Sequence, residues 1–168
     1  MNRPIKLLLA AGTGSGLPEV ITEHVQATLR PNETLTVQEV DTVTDLRLAE
    51  AGGHDLAVLI LNNILASGGD QSFAVRLEQV LDVVRELSDG GMPVISLCGF
   101  TDGLDVANLA KAAGARFYSP LPFKVSAFQG AVRECLSAEV HAAGAAGALL
   151  LPGQQDADAE RHEAQENP

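Results

Sequence analysis

Five short apolar runs, each followed by a segment of helical spacing, constrain this chain more than any other feature. Residues 5–11 begin with Ile5 and continue through Leu7-Leu8-Leu9-Ala10-Ala11. A strand that is apolar at consecutive positions must be covered on both faces, which calls for a parallel sheet with helices on each side. Residues 56–61 are the most apolar run and predict the central strand, while 93–98 predict the fourth. Residues 35–40 are half polar through Thr36, Gln38 and Glu39, which suits a sheet edge. Residues 116–119 make a short fifth strand cut by Pro120, and proline fits the opposite edge, where one backbone donor is dispensable.

The intervening segments carry apolar residues at helical spacing. Pro18 opens the first helix, with Val20, Ile21, Val25 and Leu29 on one stripe, and Pro31-Asn32 ends it. Residues 44–51 predict a short, weak helix stopped by Gly52-Gly53. A loop over 66–70 leads to the longest helix, with Phe73, Leu77, Val80, Leu81, Val84 and Leu87 in register and Gly90-Gly91 at its end. Leu104, Leu109, Ala110 and Ala113 mark a fourth helix closed by Gly114. The last covers 125–136, with Phe128, Val132 and Cys135 facing inward. Short connections and right-handed crossovers then leave an α/β, (βα)₅ doubly wound parallel sheet of flavodoxin-like type, strand order 2-1-3-4-5. The domain is expected over residues 1–137. Residues 138–168 turn Ala/Gly-rich, pass through Leu149-Leu150-Leu151-Pro152, and end acidic with Asp156, Asp158, Glu160, Glu163 and Glu166. They read as a disordered or loosely docked tail, with the leucine cluster as a candidate docking motif.

Composition narrows the function classes. A formal net charge of -11 over 168 residues argues against nucleic acid as a ligand. The first apolar run is too short for a signal-peptide core or a membrane span, so a cytoplasmic protein that does not enter the membrane is expected. Cys98 and Cys135 sit in apolar runs and read as buried reduced thiols. His24, His54, His141 and His162 fall at no metal-ligand spacing, so no metal site is expected. Asp102 and Asp105 precede a helix and read as caps. No catalytic constellation stands out, and the chain is not expected to be an enzyme.

Gly114-Ala115-Arg116-Phe117-Tyr118-Ser119-Pro120-Leu121-Pro122-Phe123 resembles the close of response-regulator receiver domains. In that family the fourth helix ends in Gly-Ala, and a short strand with an aromatic residue runs into Lys-Pro-Phe. Asp55-Leu56-Ala57-Val58-Leu59-Ile60-Leu61-Asn62-Asn63 is similar to the receiver's third strand, and Pro93-Val94-Ile95-Ser96-Leu97-Cys98-Gly99 to the fourth. The resemblance covers residues 5–137. It implies an aspartate that takes a phosphoryl group at the end of the third strand and acidic Mg²⁺ ligands after the first. It also implies a Ser or Thr after the fourth strand and a Lys after the fifth.

Each of those positions carries something else here. The acceptor position matches Ile60; sliding the register offers Asn62 or Asn63, whose amides are not usable nucleophiles. The acidic pair matches Ala10 and Ala11, or Ala11 and Gly12. The hydroxyl position is Cys98 and the lysine position Leu121. The resemblance therefore implies a degenerate member, a pseudo-receiver that works through a protein partner and carries no cofactor. A homodimer is plausible through the face that receivers use, and Phe100, Leu104, Tyr118 and Phe123 are the candidates for that surface.

A rival reading comes from Gly12-Thr13-Gly14-Ser15-Gly16 between the first strand and the first helix. Such a loop can aim backbone N–H groups and hydroxyls at a phosphate, and flavodoxins carry a comparable loop for FMN. On this reading the chain binds FMN or a nucleotide. The bland alternative is a plain turn.

Overall fold

The alternation of apolar runs and helices closes into one five-stranded parallel sheet, seen in a computed structural model that describes residues 2–50, 52–67, 69–99 and 105–144. The strands are β1 (Arg3–Ala10), β2 (Glu33–Val40), β3 (Leu56–Ile60), β4 (Val94–Cys98) and β5 (Phe117–Pro120), in the order β2-β1-β3-β4-β5. Six helices cover it: α1 (Leu17–Gln26), α2 (Val43–Glu50), α3 (Leu61–Ala66), α4 (Phe73–Asp89), α5 (Val106–Ala112) and α6 (Val125–Gly144). Leu9 of β1 aligns with Val58 of β3, Val58 with Ile95 of β4, and Ile95 with Phe117 of β5.

Strand periodicity sorts the apolar residues into two core layers. Leu56, Val58 and Ile60 join Leu7, Leu9, Ile95 and Leu97 beneath α1 and α6, against Ile21, Val25, Phe128 and Val132. Ala57 and Leu59 join Leu8 and Val94 on the other side, against Leu46, Val80, Val84 and Ala110 of α2, α4 and α5. Every residue of β3 is buried, as a central strand with two covered faces requires. β2 keeps the edge character that its polar residues predict: Leu35 and Val37 are half-buried between exposed Thr34, Thr36 and Gln38.

Four details depart from the sequence reading. The chain coils into α3 as soon as β3 ends, which makes six helices instead of five. Leu61, Ile64 and Leu65 supply a buried stripe too short to stand out by periodicity. α6 continues to Gly144, past the helix end expected at 136, because an alanine-rich stretch extends a helix at little cost. Val20 and Leu109 lie on their helices' outer flanks, 40% and 38% exposed, so neither belongs to the buried stripe. Pro120 is the last residue of β5 rather than a break in it. It pairs with Cys98, and the Leu121 N–H donates to the Cys98 carbonyl, so the missing donor falls on the open edge. Among the described residues no helix is long and apolar enough to cross a membrane. The tail from residue 145 on lies outside the described residues.

Candidate functional site

The carboxyl ends of β1, β3, β4 and β5 form the edge at which α/β sheets of this type place their ligands. Ala10 and Ala11 end β1 and begin its loop, each 1% exposed; Ile60 ends β3 with no exposed surface, and Cys98 ends β4. Leu121 follows β5 and is half-buried. These five positions share the edge, but their side chains divide between the two core layers. Ala10 and Cys98 pack toward α2, α4 and α5; Ala11, Ile60 and Leu121 pack toward α1 and α6. The Cys98 thiol donates to the Gly99 carbonyl at 3.1 Å. Among the described residues no three His, Cys, Asp or Glu side chains stand together where they could hold a metal.

Two amides occupy the edge. Because α3 starts directly after Ile60, its first turn carries Asn62 and Asn63 over the ends of the strands. The Asn62 Oδ1 accepts the backbone N–H of Gly99 at 2.5 Å, which ties the end of β3 to the segment after β4. The Asn63 Nδ2 donates to the Ser15 hydroxyl at 2.9 Å, tying the same turn to the loop after β1. Gly12 is held in that loop at a φ of +66°, and a Cβ there would stand 2.7 Å from the Asn63 backbone carbonyl carbon. The approach is possible only without a side chain. A neutral amide donates and accepts at once, so the pair joins three loops without a buried charge or a cation. Sequence reasoning had weighed both asparagines only as failed nucleophiles. The missed signal was their position, opposite a glycine loop on one side and Gly99 on the other.

The glycine loop itself is a tight connection. Thr13 and Gly14 are exposed, Ser15 is engaged by Asn63, and Gly16 caps α1 without a side-chain bond, with Pro18 in the first turn. The proposed interaction surface is divided. Tyr118 is half-buried against the layer under α4 and α5, where burial first, then Cys98 and Asp105, pushes its hydroxyl pKa up. Phe123 packs on the opposite layer, 4.9 Å from Phe128 and edge-on to His24 at 6.0 Å between ring centres. The two rings therefore cannot serve one face, since the sheet lies between them. His24 is half-buried, with this ring contact on one side. Phe117 and Phe123 are half-buried as well. Asp105 caps α5 as expected, its Oδ1 accepting from the Asn108 N–H at 3.1 Å. Phe100, Asp102 and Leu104 lie outside the described residues.

The sheet order and the helices around it define a receiver-type fold, and comparison with solved structures agrees. A response regulator receiver domain protein of Clostridium thermocellum superposes with a TM-score of 0.59 at 21% identity, covering 81% of this chain and 97% of that one. A CheY-like receiver domain protein of Methanospirillum hungatei gives 0.59 at 13% identity, covering 84% and 99%. A pilus assembly protein of Burkholderia thailandensis gives 0.54 at 15% identity, covering 79% and 98%. No protein-family model matches the chain, and no curated protein matches it either.

Proposed function

We propose that this chain is a phosphorylation-independent pseudo-receiver, a regulatory module of signal transduction that acts in the cytoplasm through a protein partner. The observation that carries this reading is the amide bridge: Asn62 and Asn63 join the loops after β1 and β4 at the place where the resemblance implies an acceptor and its metal ligands. A phosphoryl group needs an oxygen nucleophile and a cation to spread its charge. The end of β3 offers a buried isoleucine and two amides already engaged with their neighbours. Among the described residues this edge also carries no cluster of His, Cys, Asp or Glu of the kind that would bias a two-state switch, which favours a fixed docking shape.

Exposure to acetyl phosphate and Mg²⁺, followed by intact-mass measurement and hydroxylamine treatment, tests the chemistry. The expected result is an unmodified mass, and a hydroxylamine-labile adduct would overturn the reading. Affinity capture of the intact chain from its native lysate, beside native mass spectrometry, tests the mode of action. A specific protein partner, or a second copy of the chain, supports the module. A retained FMN or nucleotide would instead favour a ligand-binding role for the Gly12, Thr13, Gly14, Ser15 and Gly16 loop.

A further inference from the structure

We propose that the groove between α2, α3 and α4 is a binding site for a small organic anion, carrying a carboxylate or phosphate group beside a short apolar body. The groove encloses about 650 Å³, within the range of small-molecule sites, and it uses none of the positions discussed above for phosphoryl transfer. Its floor is apolar, with Val43 and Ile64, and its polar wall carries Arg47, Arg76, Gln71 and Gln79. Among the described residues no Asp or Glu lines it. In a chain with a net charge of -11, a cavity lined by two guanidinium groups, with Glu86 reaching only one of them from outside the lining, is a local reversal of sign.

The two arginines are held differently, and both retain donors. Arg76 gives one Nη1 bond to the Gly69 carbonyl at 3.1 Å, while its Nε is shielded from solvent with no acceptor among the described residues. A shielded donor without an acceptor is costly, so a small turn of the Arg76 guanidinium toward an oxygen seated in the groove would relieve it. Arg47 approaches the Glu86 carboxylate through Nε at 3.6 Å, with both side chains about half exposed. That loose pair leaves the far edge of the Arg47 guanidinium open for a bidentate contact. The planar fork of arginine matches carboxylate and phosphate oxygens, and the two glutamine amides add neutral donors beside it.

The site is tested by ¹⁵N–¹H NMR titration of the full chain with succinate, with glycerol 3-phosphate and with neutral succinamide. Saturable shifts confined to residues 43–48, 64–67 and 71–79 are expected with one or both anions and none with succinamide, and the two anions separate the carboxylate source from the phosphate source. Arg76→Gln should weaken binding at least tenfold, with an unchanged spectrum elsewhere showing that the fold is kept. Glu86→Gln removes the competing carboxylate from Arg47 and should tighten binding severalfold at low salt. Absence of saturable shifts with either anion at tens of millimolar would overturn the proposal. So would equal binding of succinamide, or affinity unchanged in both variants.

Discussion

Placing an aspartate at the end of β3, as Ile60→Asp, would put a carboxyl where receiver phosphoryl chemistry would need one, and the surroundings make it strongly destabilising. Ile60 has no exposed surface and packs in a layer with Leu9, Ala11, Val58, Leu97 and Leu121. Loss of that burial costs about 2–3 kcal/mol. Among apolar neighbours the carboxyl holds its proton, and a pKa raised by about three units costs about 4 kcal/mol at neutral pH. Together these reach about 6–7 kcal/mol, a large share of the ~5–15 kcal/mol that holds a domain of this size together. The sign with pH follows from linkage. A folded-state pKa raised above the unfolded value of about 3.9 leaves no ionisation penalty below that pH, and the penalty grows as pH rises. Urea denaturation followed by circular dichroism should therefore show Ile60→Asp recovering part of its stability toward pH 4. Ile60→Asn should show no such recovery, and Ile60→Val should lose only about 0.5–1.5 kcal/mol. If Ile60→Asp denatured with Ile60→Val at pH 7, or if Mg²⁺ with beryllofluoride raised its midpoint, the pocket could seat a carboxylate and the reasoning would be wrong.

Two glycines of one loop should respond unequally to alanine. Gly12→Ala combines a left-handed backbone with a Cβ set against the Asn63 backbone and should cost about 3 kcal/mol or more, whereas Gly14→Ala has open space at a φ of +85° and should cost about 1 kcal/mol; comparable midpoints for the two variants would contradict the close approach. The pKa of His54 is lowered by burial and by Lys6, against an opposing pull from Asp55, and the ring sits 3.0 Å from the Gln38 Oε1. A folded pKa below the unfolded 6.5 means that the unfolded chain binds the extra proton first, so stability falls as pH drops through that value; His54→Gln should flatten this slope between pH 7.5 and 5.5. Ser96 is fully buried with a hydroxyl that meets no partner among the described residues, so Ser96→Ala should leave the unfolding free energy from urea denaturation unchanged or raise it by up to about 1 kcal/mol.

Much of the architecture was legible in the order of residues because it depends on local signals repeated many times. Consecutive apolar positions in β1, β3 and β4 demand two covered faces, and that demand, with the handedness of the crossovers, leaves one strand order. The polar residues of β2 and the proline of β5 marked the edges for the same reason: an unpaired edge is where water and a missing donor are tolerated. The place of Ala10, Ala11, Ile60, Cys98 and Leu121 at the carboxyl edge was also visible, since each lies at or just past the end of its strand. What folding alone decided were distances between segments far apart in the chain. Asn62 and Asn63 became bridges only because three loops meet above the strands, and Tyr118 and Phe123, five residues apart, were separated by the sheet itself. Arg47 and Arg76 came to line one groove only when α2 and α4 packed side by side. Periodicity reports which way a residue faces within its own element, and a site depends on which elements face each other.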